Sequence, residues 1–202
     1  MINAMTKAIF LEGIDGTGKS TLAKLLKDHL EARGQKVVVL REPGGSEYYE
    51  AIRQHIHFSS LERSALSDAL TCAGGIAENI RETKRALENG YWVISDRCYI
   101  SNAVYQIAQG LSPEIVDRIN QIALDGFSYD IGILLDVPIE VAEKRLLAID
   151  KKRDRWESMS ENYFKTVRQL YLDYANTLDL PTIDASQPIE TILAQIIELS
   201  KD

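Results

Sequence analysis

Cysteine is scarce in this chain, with only Cys72 and Cys98 among 202 residues. That is too few for the disulfide framework of a small secreted domain, so a reduced, cytoplasmic setting is the default and no bridge between the pair is expected. No run of 18 or more apolar residues occurs, which argues against a membrane-spanning helix. A basic excess is missing too. Lys and Arg total 23 against 30 Asp and Glu, a net charge of −7, which speaks against a general nucleic-acid surface. The three histidines show no zinc pattern: His55 and His57 have no Cys or carboxylate at ligand spacing, and His29 reads as the edge of a helix core. Internal repeats, low-complexity tracts and linkers are absent. Residues 1–7 lack the charged-then-apolar order of a signal peptide, and Met5 is an alternative start.

What remains is ordinary globular material, 45% hydrophobic and 26% charged, suited in length to one domain. Apolar strand-like runs alternate with helical periodicity. The strands expected are Ala8-Ile9-Phe10-Leu11, Val37-Val38-Val39-Leu40, Trp92-Val93-Ile94-Ser95, Ile131-Gly132-Ile133-Leu134-Leu135 and a short Pro181-Thr182-Ile183-Asp184. Between them the spacing predicts helices with Leu22, Leu25, Leu26 and Leu30 on one face, a helix capped by Ser46, and a long one over 64–89. Others are expected over 99–109, from Pro113 with Ile115, Ile119 and Ile122 on one face, and over 139–148. A stripe of Tyr163, Val167, Leu170, Tyr174 and Leu178 marks a further helix, and Ile189 to Ile197 a closing one. This alternation defines a three-layer α/β fold, a parallel central sheet with helices on both faces. The pair Gly74-Gly75 inside the long helix is unexpected and signals a close approach or a kink.

Between the first strand and first helix lies Gly13-Ile14-Asp15-Gly16-Thr17-Gly18-Lys19-Ser20-Thr21. It fits the phosphate-loop pattern, Gly, four residues, Gly-Lys and a hydroxyl residue. The glycines let backbone N–H groups face phosphate oxygens, and the helix opening at Lys19 adds its positive end. Lys19 suits the β- and γ-phosphates of a nucleoside triphosphate, and the Ser20 hydroxyl suits Mg²⁺. Asp15, Glu42 and Asp96-Arg97 follow strands and should converge on one crevice at the carboxyl edge of the sheet. Asp96 stands where phosphate-loop enzymes place an acidic residue for Mg²⁺, and Arg97 can pair with a phosphate in a fork. Lys144, Arg145, Lys151, Lys152, Arg153 and Arg155 crowd one basic stretch. In an acidic chain, that points to a small polyanionic ligand rather than to nucleic acid.

The segment from Phe10 through Thr21 resembles the opening of a thymidylate kinase. Arg41-Glu42-Pro43-Gly44-Gly45, Ile52-Arg53, Asp96-Arg97, Tyr105-Gln106, Leu135-Asp136-Val137 and Asp154-Arg155-Trp156-Glu157 extend the likeness in order along the chain. The resemblance implies transfer of the ATP γ-phosphoryl group to a nucleoside monophosphate, with ATP and Mg²⁺ bound. It implies that Gly13, Gly16, Thr17, Gly18, Lys19, Ser20 and Thr21 hold ATP, with Arg145 against adenine. Asp15 would touch the sugar 3′-hydroxyl, and Arg53 and Arg97 would grip the acceptor phosphate. Glu42, Asn102, Tyr105 and Gln106 would complete the acceptor site. A mobile lid over 149–157 would carry the catalytic arginine, Arg153 or alternatively Arg155. A homodimer is implied as well.

The chain also departs from that family. Thr71 stands where a phenylalanine usually stacks on thymine, and Gly75 where an arginine usually contacts the base. Cys98 replaces a customary tyrosine, and Tyr129 a proline. Losing the stack forfeits about 1–3 kcal/mol of base binding. A wider base pocket around Thr71, Gly74 and Gly75 is one expectation, and replacement of the lost contacts by neighbouring side chains is the other. The leading reading is phosphorylation of dTMP to dTDP. The alternatives are a kinase for a different or modified deoxynucleoside monophosphate, and a catalytically inactive nucleotide-binding module.

Overall fold

The computed structural model describes residues 6–59, 61–148 and 160–201. The expected lid with Arg153 and Arg155, and the alternative start at Met5, lie outside the described residues. In chain order the elements are β1 (Ala8–Glu12), α1 (Lys19–Glu31), β2 (Lys36–Arg41), α2 (Glu47–Phe58) and α3 (Ala65–Glu88). They continue with β3 (Tyr91–Asp96), α4 (Tyr99–Ile107), α5 (Pro113–Leu124) and β4 (Ile131–Asp136). The last are α6 (Ile139–Leu147), α7 (Glu161–Thr177), β5 (Thr182–Asp184) and α8 (Ile189–Leu199). The five strands form one all-parallel sheet in the order β2-β3-β1-β4-β5, flanked by helices as the alternating pattern predicts.

The register explains where a site can form. β1 lies between β3 and β4, with Leu11 opposite both Asp96 and Ile133, and Arg41 also pairs with Asp96. Strand order reverses at β1: β2 and β3 lie to one side of it and β4 and β5 to the other. A crevice therefore opens at the carboxyl end of β1. Every residue of β1 is buried, as a strand sandwiched between two helical layers must be. β2 is an edge strand, which is why Val39 of its apolar run is exposed.

Side-chain caps begin three of the helices as their sequences suggest. The Ser46, Ser64 and Ser160 hydroxyls accept from the backbone N–H of Tyr49, Ser67 and Tyr163. Each satisfies a donor that helix geometry leaves without a partner.

Two helix faces differ from the expectation. On α5, Ile115 and Ile122 are exposed, and Val116, Asn120 and Ala123 face inward. Val116 packs with Ala69 of α3 and Ala103 of α4, and Asn120 is drawn in by amide hydrogen bonds to Asn102 and to the Tyr99 carbonyl. Of the three isoleucines only Ile119 packs against the core. On α7, Leu178 is the exposed C-cap, and the buried stripe is Tyr163, Phe164, Val167, Tyr171 and Ala175. Cys72 and Cys98 are free and buried.

The joint between α2 and α3 depends on Arg63. Its guanidinium donates to Asp68 at 2.6 Å and to the Ile56 and His55 carbonyls at 3.0 and 3.2 Å. The two charged side chains are nearly buried, at 10% and 1% exposure. Removing one member of such a pair leaves the other charge stranded, which costs about 3–5 kcal/mol. Arg63→Ala should therefore lower the thermal midpoint by several degrees in a calorimetric melt. A midpoint within one degree or so of the parent would contradict this account.

Candidate active site

The phosphate loop gets its shape from glycine. Gly13, Gly16 and Gly18 have φ of 142, 87 and 93°, values that side chains with a Cβ rarely adopt. Space forbids a side chain too, since a Cβ at Gly13 would lie 2.2 Å from the Leu135 carbonyl oxygen. Lys19 folds back over this loop, its ammonium donating to the Gly13 and Ile14 carbonyls at 2.9 and 2.8 Å and to Thr17 Oγ1 at 3.3 Å. Burial first, and then the nearby Arg97 charge, lower its pKa from 10.5 to about 8. At the start of α1 the Ser20 hydroxyl donates to the Asp96 carboxylate. Arg145 of α6 donates to the Gly16 carbonyl at 3.3 Å.

Arg97 sits at the centre of the site, with a left-handed φ of 73°. That conformation is costly for a residue with a Cβ and persists only where surroundings enforce it. Here the enforcement is visible. The Arg97 N–H donates to the Leu11 carbonyl at 3.0 Å, and the Arg97 carbonyl accepts from the Ser95 hydroxyl at 2.8 Å. Its guanidinium donates to Asp15 at 2.6 Å, the Tyr171 hydroxyl at 2.8 Å, Ser101 Oγ at 3.0 Å and the Gly13 carbonyl at 3.0 Å. Asp15 also accepts from the Tyr105 hydroxyl at 3.1 Å. Burial alone would raise the Asp15 pKa, but the Arg97 and Lys19 charges outweigh it and hold the carboxyl well below the usual range. Glu12, fully buried, accepts from the Cys98 and Ser101 N–H groups at 2.9 Å each and from Ser101 Oγ at 2.8 Å. It stands 3.8 Å from Arg97.

Facing these groups is a cavity of about 450 Å³. Asp15, Gly16, Gly18, Lys19, Ser20, Thr21, Glu42, Arg53, Asp96, Arg97, Asn102, Tyr105, Gln106 and Arg145 all line it, so the crevice brings together most of the positions singled out in the sequence. Thr71 and Gly75 do not line it; their neighbours Cys72 and Ile76 do. Thr71 turns its hydroxyl to the Ser67 carbonyl at 2.8 Å. Nor is the expected extra space at Gly75 open. The Tyr49 ring fills it, with Cδ2 only 2.0 Å from where a Cβ at Gly75 would stand.

The 41–46 loop is shaped by Asn79, whose amide donates to the Arg41 and Gly44 carbonyls and accepts from Ser46 N–H. Within that loop the Glu42–Pro43 peptide is cis. Arg53 donates to the Pro43 carbonyl at 2.7 Å. Both carboxylate oxygens of Glu42 are buried with no hydrogen bond among the described residues. Burial, and secondarily Glu12, push its pKa up to about 8. Asn102 is locked in orientation. Its Nδ2 donates to the Ala69 carbonyl at 3.2 Å and to Asn120 Oδ1 at 2.8 Å, while Asn120 donates to the Tyr99 carbonyl at 2.9 Å. The Asn102 Oδ1 is buried with no hydrogen bond among the described residues, and Asn102 is one of the residues that line the cavity.

Sequence reasoning gave no role to Glu12, Tyr49, Ser101 or Tyr171. Glu12 had a signal, a charge ending a wholly apolar strand. Tyr171 lies four residues after Val167 and was obscured by the competing choice of Leu170 and Tyr174.

A glycine-shaped loop that crowns a lysine at a helix start, with a hydroxyl-carboxylate pair and a buried arginine across one cavity, defines a phosphotransferase. It is a phosphate-loop α/β protein of the nucleoside monophosphate kinase class. The family model described as thymidylate kinase matches residues 11–196. The chain is 35% identical to the thymidylate kinase of Thermosipho melanesiensis, covering 93% of this chain and 94% of that one. It is 36% identical to that of Symbiobacterium thermophilum, covering 98% and 94%. It is 33% identical to that of Kosmotoga olearia, covering 94% and 93%. The chain belongs to the thymidylate kinase family.

Glu42 generates a pH prediction for the ligand-free protein. An unfolded glutamate loses its proton near 4.5, whereas the folded one keeps it up to about 8. Between these values the folded state binds more protons, so Glu42 makes stability fall as pH rises. Glu42→Gln should remove that slope. The midpoint difference, variant minus parent, should grow from pH 5 to pH 8 and then level off in thermal melts. A difference constant across that range would contradict the assignment.

Proposed function

We propose that the chain, as one kinase domain, transfers the γ-phosphoryl group of ATP to a deoxynucleoside monophosphate, most favourably dTMP to give dTDP. The observation that carries this reading is the convergence on one cavity of the Lys19 loop, the Arg97 network and the Asn102–Gln106 wall. In the transfer, an acceptor phosphate oxygen forms a bond to the γ-phosphorus while the bond to the bridging oxygen breaks and ADP leaves. Such chemistry asks for position and positive charge rather than for a covalent catalyst.

The ammonium of Lys19 exchanges its carbonyl partners for β- and γ-phosphate oxygens. Ser20 and Asp96, already in contact, are a fitting pair of oxygen donors for Mg²⁺, an ion that takes few protein ligands and keeps phosphate oxygens and water for the rest. Magnesium held there would neutralise charge on the phosphates. Arg97, oriented by Asp15, grips the acceptor phosphate together with Arg53. Asp15 and Tyr105 orient the sugar, and Asp15 takes its 3′-hydroxyl. Asn102, Tyr105 and Gln106 line the nucleoside side of the cavity. Arg145 lies against the ATP adenine, where a guanidinium stacks well. A lid over 149–157 supplies Arg153 and excludes water. The setting is cytoplasmic. Two copies pair as the family resemblance implies, which would cover the exposed Leu66 and Leu70 of α3 and Ile115 and Ile122 of the adjoining α5.

A second reading, a kinase for another or a modified base, is favoured by one observation. Neither Thr71 nor Gly75, at the two base-reading positions, lines the cavity. An ADP-release assay across dTMP, dUMP, dCMP, dAMP and dGMP separates the two. The highest kcat/KM is expected for dTMP, and a higher one for another nucleotide would transfer the acceptor assignment to it. ATP binding without transfer to any of the five would overturn the kinase reading. Lys19→Ala should lower kcat on the preferred acceptor by about 10²–10³-fold, and unchanged turnover would contradict the role of Lys19.

A further inference from the structure

Tyr49 and Gly75 form a matched pair. The Tyr49 ring is 1% exposed and lies directly on the α3 backbone at Gly75, where a Cβ would come within 2.0 Å of Cδ2 and 2.1 Å of Cε2. The ring is held from behind by that backbone and at its root by the Ser46 cap, whose hydroxyl accepts from Tyr49 N–H at 3.1 Å. With Ile56, Cys72 and Ile76 it belongs to one apolar cluster, and all four line the cavity. The base is the flat, weakly polar part of a nucleotide, and an aromatic and aliphatic wall is the surface that suits it.

We propose that Tyr49, seated on Gly75, is a specificity-determining residue for the acceptor base, its ring setting the depth and shape of the apolar end of the cavity. Glycine at 75 is there because the ring needs its space, and the ring supplies from α2 the bulk that α3 lacks. This rests on the kinase reading above. It deepens that reading by assigning base selection to the space that a buried phenol ring takes up. Because the ring has nowhere to retreat, its volume is subtracted from what a base can occupy. Ring and backbone are coupled: a methyl group at 75 must drive the ring forward into the cavity.

The test is a double-mutant cycle of Tyr49→Ala and Gly75→Ala, with Tyr49→Leu as a milder variant, each checked for folding by circular dichroism. The readout is kcat/KM for dTMP and dGMP, with the KM for ATP as a control. Tyr49→Ala should shift the dGMP-to-dTMP ratio toward the larger base by about tenfold or more, the range over which an apolar pocket discriminates size. Gly75→Ala should raise the KM for dTMP severalfold with little change in kcat or in the ATP KM. The double variant should recover most of that rise. If Tyr49→Ala fails to fold, Tyr49→Leu and the Gly75→Ala arm decide. A ratio within twofold of the parent in a folded Tyr49 variant, or no rescue in the cycle, overturns the inference while leaving the kinase reading intact. A parent chain that binds ATP but phosphorylates none of the five nucleotides overturns the reading on which the inference rests.

Discussion

The arrangement depends on the buried carboxylate of Glu12. A charge with no solvent exposure is tolerable only when its oxygens are fully engaged. Here three hydrogen bonds from the start of α4 and the nearby Arg97 guanidinium engage them. The positive end of α4 is thereby drawn to the carboxyl end of β1, and Arg97 is fixed between β1 and β3 in a backbone conformation it would not otherwise hold. Tyr171 from α7 closes the set, so residues 159 positions apart in sequence act on the same cation.

From that anchor the cavity divides into two regions with different origins. The phosphate region is built by local sequence: three glycines bend one loop, and Lys19, at the start of the helix that follows, folds back over it. The base region is built by packing between distant elements. Tyr49 comes from α2, Cys72 and Ile76 from α3, and Asn102 from α4, with Asn120 of α5 holding the Asn102 amide in one orientation. Phosphate handling is consequently rigid in its residue requirements, whereas the base region can exchange one element's bulk for another's.

The same division explains how much could be read before the structure was known. Alternating apolar runs and helical stripes identified the strands and their layers, because a parallel sheet must bury both faces. The phosphate loop, Asp96-Arg97 and Glu42 were legible because each follows a strand and the sheet edge gathers them. Orientation about helix axes was less legible. α5 carries three isoleucines on the face that proved mostly exposed, and a buried asparagine that only a partner amide on α4 could have revealed. Gly75 illustrates the limit well. Its absence of a side chain was visible, but whether that absence meant room or a neighbour's ring depended on α2 crossing α3 at that turn.

If Glu12 is the anchor, its charge should matter to the acceptor side of the reaction and little to ATP. The most direct measurement is a steady-state comparison of Glu12→Gln with the parent, alongside calorimetric titration of ATP. The account predicts that kcat/KM for the acceptor falls by about a hundredfold, as Arg97 loses its fixed position, while ATP affinity stays within a few-fold. A folded Glu12→Gln protein with parental turnover would contradict it.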